Sequence, residues 1–172
     1  MKNKGFRNAD LKPLLLFVFL LAFLALRTFL PSSIPPDLSE PVTVIRVIDG
    51  DTIEISGGIT VRLIGVDTPE SVHPDETKNS DYGKAAAQWT TDLLSGQSVR
   101  LEYDTEQTDS YGRTLAYVYL DGVMVNEILL KNGLAKTMSI SPNTKYANRF
   151  QMLEQEAKQN RVGFWKDYFM IY

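Results

Sequence analysis

Two aspartates, two arginines and a glutamate, Asp51, Arg62, Asp67, Glu70 and Arg113, stand at the ends of apolar, strand-like runs of this 172-residue chain. Strand ends that give way to polar loops are where rigid scaffolds present chemistry. Asp51 follows the turn pair Asp49-Gly50, Asp67 and Glu70 follow Arg62-Leu63-Ile64-Gly65-Val66, and Arg113 follows Tyr111-Gly112. Two carboxylates with carbonyl or water oxygens can hold a divalent cation, and two planar guanidinium forks can grip phosphate oxygens. Glu70 is then left to orient or deprotonate a water. Charge neutralisation, positioning and an aimed nucleophile are what phosphodiester hydrolysis requires.

Composition narrows the metal. The chain has no cysteine and one histidine, His73, so thiolate and histidine-rich sites are excluded and oxygen ligands remain, which suit calcium or magnesium. Residues 31–172 carry 13 basic and 20 acidic side chains, so this part of the chain is acidic and lacks the basic excess of a nonspecific duplex binder. Nucleic-acid chemistry here needs a local positive site or a cation.

The elements that must position these groups are legible in outline. Val42 to Ile48, Asp51 to Ser56 and Ile59 to Val66 read as three strands joined by Asp49-Gly50 and Gly57-Gly58, an antiparallel meander. Asp51 shares a face with Ile53 and Ile55, and alternation leaves Arg62 among hydrophobes. A cation so placed requires an anionic partner. Residues 71–81 are polar and patternless, the pattern of a mobile loop. Ala86, Trp89 and Leu93 recur at helical spacing, with Ser80 or Asp81 as cap and Gly96 as stop. Val99, Leu101 and Tyr103 alternate with Arg100, Glu102 and Asp104, a half-buried strand. Arg113 to Leu120 turns at Asp121-Gly122 into Val123 to Val125, a short helix runs from Glu127 to Lys131, and Tyr146, Phe150, Leu153 and Ala157 share a helix face. Phe164 and Trp165 are expected to pack the C-terminal tail. Short strands with turn signals, interrupted and followed by helices, predict an α+β, mainly β fold: a small barrel with about three attached helices.

Upstream, Lys2, Lys4, Arg7 and Lys12 precede the uninterrupted apolar run Leu14 to Leu26. That run suits the core of a signal peptide, while Leu11 to Leu30 is long enough to span a bilayer. With no small-x-small cleavage site after the core, an uncleaved anchor is favoured over a removed signal peptide, with the N-terminus inside and the domain outside. Pro31, Pro35, Pro36 and Pro41 mark residues 31–41 as an extended linker, and the folded domain is expected over residues 42–172.

Val47-Ile48-Asp49-Gly50-Asp51-Thr52, Arg62-Leu63-Ile64-Gly65-Val66-Asp67-Thr68-Pro69-Glu70 and Asp109-Ser110-Tyr111-Gly112-Arg113 closely resemble the three signature segments of the staphylococcal nuclease-like (thermonuclease) family. Val125-Asn126-Glu127 and Gly133-Leu134-Ala135-Lys136 resemble its later segments. The resemblance spans Val42 to Trp165. It implies a five-stranded OB-type Greek-key barrel and a calcium-dependent endonuclease that cleaves single-stranded DNA and RNA to products ending in 3′-phosphate. It also implies roles: Asp51 and Asp67 as calcium-binding carboxylates, Thr68 as a ligand through its backbone carbonyl, Arg62 and Arg113 as stabilisers of the transition state, Glu70 as the residue on the attacking water, and Tyr111 as a contact to a substrate phosphate.

Two departures stand out. Thr137-Met138-Ser139-Ile140-Ser141 replaces the tyrosines that stack on bases in the prototype, and the loop His73 to Lys78 is more acidic than its counterpart. Weaker substrate binding is expected, since stacking contributes about 1 to 3 kcal/mol per base. The rival expectation from another class is a noncatalytic OB-type module that binds nucleic acid or protein; against it, a pure binder has no use for the complete set of carboxylates and arginines. A phosphodiesterase for small or modified substrates is the second rival. The domain is expected to be secreted or membrane-anchored, and monomeric.

Overall fold

A computed structural model describes residues 38–71 and 80–168. Residues 1–30, expected as signal peptide or anchor, lie outside the described residues, as do most of the linker and residues 72–79 of the expected mobile loop. Among the described residues, no helix is long and apolar enough to cross a membrane.

The meander forms as β1 (Val42–Asp49), β2 (Thr52–Ile55) and β3 (Ile59–Leu63). β2 pairs antiparallel with both neighbours, Ile53 lying opposite Val47 on one side and Val61 on the other. Alternation sends Ile53, Ile55, Val61 and Leu63 into the core, each at most 3 % exposed. β5 (Ser98–Glu102) and β6 (Thr114–Leu120) pair antiparallel. β6 then runs parallel to β3, with Val61 opposite Thr114, while β5 meets β1 at Val42 and Val99. These pairings close β1, β2, β3, β6 and β5 into a five-stranded barrel of the OB-type Greek-key kind. β7 (Val123–Met124) extends β6 through a tight hairpin in which Asp121 and Gly122 both have positive φ, 50° and 81°.

The run Ile59 to Val66 is not one strand. It breaks after Leu63, and β4 (Gly65–Asp67) leaves the barrel to pair with β8 (Lys136–Met138). Gly65 makes the break possible: its φ is +78°, and a Cβ there would stand 2.6 Å from the Phe150 ring. Asn126, fully buried, holds the exit by donating from Nδ2 to the Ile64 carbonyl at 2.8 Å and accepting the Val118 N–H on Oδ1 at 3.0 Å. The consequence is functional, because Asp67 is carried away from the barrel wall instead of continuing along it.

Helix α1 (Asp81–Leu94) begins at Ser80, whose Oγ accepts the Gly83 N–H, and stops before Gly96, at φ +74°. α2 (Val125–Lys131) and α3 (Ala147–Gln159) pack beside β6 and β8, Phe150 pointing into the barrel core. α4 (Trp165–Tyr168) closes the described chain, with Phe164 and Trp165 buried against Ala157 and Val162. At the other end, residues 38–41 of the expected linker lie along β5: Leu38 bridges to Glu102, and Ser39 N donates to the Leu101 carbonyl at 2.8 Å.

The polar face expected for β5 differs at Glu102, which is fully buried. Its carboxylate accepts hydrogen bonds from the hydroxyls of Tyr119 at 2.6 Å and Tyr146 at 3.0 Å and pairs with Lys145. Residues from β6 and from the start of α3 roof over the strand, which periodicity within β5 does not report.

Candidate active site

Asp51 sits between β1 and β2 and is only 6 % exposed. Its Oδ2 accepts the Thr68 N–H at 2.8 Å and the Thr68 hydroxyl at 3.1 Å, and its Oδ1 accepts the Thr52 hydroxyl at 3.0 Å. The strand exit after β4 is thereby tied to the β1–β2 turn. Gly50 is needed here for space and not for a left-handed turn: a Cβ would lie 2.8 Å from both Thr68 Cγ2 and Oγ1.

Arg62 answers the expectation of an anionic partner twice. Nη1 lies 3.1 Å from Asp51 Oδ2, and Nη2 lies 3.2 Å from Asp67 Oδ1. Nη1 also donates to the carbonyls of Leu63 at 3.1 Å and Val66 at 2.8 Å, so the guanidinium spans the very break that redirects the chain. Five donors in a rigid fork make this possible, and a lysine cannot reproduce it.

Asp67 is half-exposed, and its carboxyl is raised above the ordinary 3.8 by burial first and by the neighbouring Asp51 carboxylate second. Arg62 and Lys136 pull it down without cancelling that push. Glu70 is exposed at the mouth, beyond Pro69. Across from it, Arg113 is anchored by Asp109, whose Oδ2 accepts Nε–H at 2.8 Å while its Oδ1 accepts the Arg113 and Tyr111 amides. Burial raises the Asp109 carboxyl, but these donors outweigh it and hold the group below 3.8. Tyr111, 84 % exposed, offers its ring to the Arg113 guanidinium at 5.5 Å.

An open cleft of about 660 Å³ brings the predicted set together: Asp51, Arg62, Asp67, Glu70 and Arg113 all line it. Thr68 lies behind, on Asp51. A second cleft of about 460 Å³ shares Arg62 and Arg113 and adds Tyr111, Leu115, Met138 and Ile140. The two arginines thus stand on the boundary between an acidic cleft and a more apolar one.

The donor set suits a hard cation. Among the described residues no three Asp, Glu, His or Cys side chains are grouped to hold a metal ion by themselves. What the site offers is the Asp67 carboxylate, raised by burial and then by the neighbouring Asp51, together with Asp51 itself and the Thr68 peptide, an all-oxygen set of the kind that suits a hard divalent cation.

A sequence profile described as "Staphylococcal nuclease homologue" matches residues 60–167. This chain belongs to the staphylococcal nuclease family. Relatives within or near that family include the thermonuclease of Staphylococcus hyicus, 46% identical over 127 residues covering 72% of this chain and 75% of that protein. The thermonuclease of Staphylococcus intermedius is 48% identical over 130 residues, 74% of this chain and 77% of that protein. Endonuclease YncB of Bacillus subtilis (strain 168) is 43% identical over 129 residues, 72% of this chain and 61% of that protein. The names of these relatives support a nuclease function.

Within this staphylococcal nuclease fold, the residues that sequence reasoning passed over are those that act through others. Asp49, read only as a turn residue, lines the acidic cleft and accepts the Ser71 hydroxyl on Oδ1 at 2.6 Å. Asn143, 6 % exposed, clamps both main-chain groups of Glu106 at 2.8 Å and joins the two sides of the second cleft. The Asp49-Gly50 pair carried a signal, its position beside Asp51; Asn143 carried none.

Proposed function

We propose that this protein is a calcium-dependent endonuclease that hydrolyses the phosphodiester bonds of DNA and RNA, preferring single strands, and leaves 3′-phosphate ends. The observation that carries the reading is the convergence of Asp51, Arg62, Asp67, Glu70 and Arg113 on one cleft. Asp51 and Asp67, with the Thr68 carbonyl, would hold the ion. When bound, calcium supplies charge neutralisation at the phosphate and a place to order water.

The chain's own side chains do the rest. Arg113, held to Asp109 through Nε, presents its Nη fork to the phosphate oxygens. Arg62, anchored through Nη1 to the Leu63 and Val66 carbonyls, adds Nε and Nη2 by yielding its 3.2 Å contact with Asp67. Both match the charge that grows in the transition state. Glu70 orients the attacking water and takes up its proton. Water adds to phosphorus as the bond to the 5′ oxygen breaks, giving a 3′-phosphate and a 5′-hydroxyl; the proton lost by water balances the one gained by the leaving oxygen. Tyr111 contacts a phosphate along the strand. Single strands are favoured because a base must turn into the apolar cleft, out of a duplex stack.

In this reading residues 1–30 deliver the domain outside the cytoplasm, as a secreted or membrane-anchored monomer. The test is product analysis: a single-stranded oligonucleotide of DNA or RNA is cut in calcium, and the new ends are probed with a phosphatase specific for 3′-phosphate. Removal of phosphate from the 3′ ends is expected; products bearing 5′-phosphate contradict the reading.

A further inference from the structure

Glu70 has an orienting role in the proposed function, yet among the described residues no side chain holds its carboxylate. Its position is therefore inherited from its main chain. That main chain is docked on the first turn of α1. The Glu70 carbonyl accepts the Ser80 N–H at 3.0 Å, and Ser80 Oγ simultaneously accepts the Gly83 N–H at 2.9 Å. Gly83 lies flat against the same peptide: a Cβ there would fall on the Glu70 carbonyl group and within 2.6 Å of the Pro69 oxygen. Its φ is not in the left-handed region, so space and not backbone freedom demands glycine.

The same turn is held from the opposite end of the chain. The Tyr82 hydroxyl donates to Asp167 in α4, and the Tyr82 ring meets Phe164 edge-on at 6.3 Å. Phe164 N in turn donates to the Gly133 carbonyl at 3.0 Å, and Gly163 leaves no room for a side chain between it and Asn132-Gly133. The C-terminal segment is thus fixed to the domain body and reaches across to the helix start that carries the Glu70 peptide.

We propose that Ser80, Tyr82 and Gly83 are positioning residues for Glu70, and that the Tyr82–Asp167 bond makes the C-terminal helix part of what aims the glutamate. The inference rests on the role given to Glu70 above. It has leverage because a displacement of about 1 Å in a catalytic group costs on the order of 100-fold in rate.

A double-mutant cycle on the full chain tests it. Gly83→Ala, Tyr82→Phe and Asp167→Ala are made alone and with Glu70→Gln, and kcat and KM are measured on a single-stranded DNA oligonucleotide in calcium, with thermal unfolding alongside. Gly83→Ala is expected to lower kcat by about 10-fold or more with KM within about 2-fold, and Tyr82→Phe and Asp167→Ala by about 3-fold. In the Glu70→Gln background each should change kcat by less than about 2-fold, because the contribution they control is already gone. Losses of equal size in both backgrounds overturn the proposal, since a merely structural role is additive. If Gly83→Ala does not fold, Tyr82→Phe and Asp167→Ala decide: unchanged kcat in both overturns it. Wild-type activity in Glu70→Gln alone contradicts the assignment of Glu70 instead, and is distinguished from failure of the positioning argument by needing no second substitution.

Discussion

Arg62 Nη1 stands 3.1 Å from Asp51 Oδ2, both side chains being almost enclosed, at 13% and 8% exposure. The arginine that should meet the phosphate is thus also the counter-ion of the carboxylate that should meet the cation. Arg62→Lys keeps the charge but loses the fork that reaches two carbonyls and two aspartates at once. We expect kcat to fall by about 100-fold or more, as for loss of a preorganised donor to the transition state. Stability should fall by about 1 to 3 kcal/mol from the unfilled carbonyls and weakened pair. Steady-state cleavage with urea unfolding checks both. A lysine variant of near wild-type rate would remove bidentate recognition from the account.

Asp109 gives a pH dependence of defined sign. Its carboxyl is held below 3.8 by the donors of Arg113 and Tyr111, so its contribution to stability is fully present above that value and is lost as pH falls through the lower, folded value. Relative to Asp109→Asn, the wild type should be more stable by about 1 to 2 kcal/mol at neutral pH, and the gap should shrink only below pH 3.8. Unfolding curves of the two proteins between neutral pH and the acid limit measure it. A gap that is constant through the acid range would show that ionised Asp109 does not anchor the Arg113 turn.

Glu102 separates fold from chemistry. Removing its carboxylate in Glu102→Ala leaves the hydroxyls of Tyr119 and Tyr146 and the Lys145 ammonium without their shared acceptor. Loss of one partner from a buried charged network costs about 3 to 5 kcal/mol. Glu102→Gln should cost less, because an amide oxygen still accepts from a tyrosine. The rate per folded molecule at low temperature should stay near wild type, since neither cleft includes Glu102. A large fall in that rate would place the network in the catalytic apparatus.

How much of this was legible differs residue by residue. Asp51, Arg62, Asp67, Glu70 and Arg113 stand out because charged groups at the ends of apolar runs are conspicuous in one dimension, and the structure gathers them in one cleft. The meander, the cap at Ser80 and the stop at Gly96 were readable because turn and cap chemistry is local. The break after Leu63 was not, because its causes are the ring of Phe150 and the amide of Asn126, both far along the chain. β8 escaped notice for the same reason: three residues form a strand only because β4 is redirected beside them. Burial of Glu102 is likewise imposed by β6 and α3. Gly50 was read as a turn former, yet the Thr68 methyl and hydroxyl dictate it.

Met138 and Ile140 line the apolar cleft and are 42% and 60% exposed, where aromatic rings would offer a flat stacking face. Met138→Tyr with Ile140→Tyr should tighten binding of single-stranded DNA by about 1 to 3 kcal/mol if one base gains a stacking partner, or roughly 5- to 150-fold in Kd. Fluorescence anisotropy with the Glu70→Gln background, to suppress cleavage, reads this directly. Unchanged affinity would mean that the base lies elsewhere.

The most direct test of the account is cleavage of a single-stranded DNA oligonucleotide by the full chain in calcium, in magnesium and in excess chelator, with Glu70→Gln and Asp51→Asn beside the wild type. The account predicts rapid cutting by the wild type in calcium alone, a fall of about 100-fold or more in Glu70→Gln, and for Asp51→Asn a shift of the calcium requirement to much higher concentration. Folded wild-type protein that binds the strand and leaves it intact under all three conditions would contradict it.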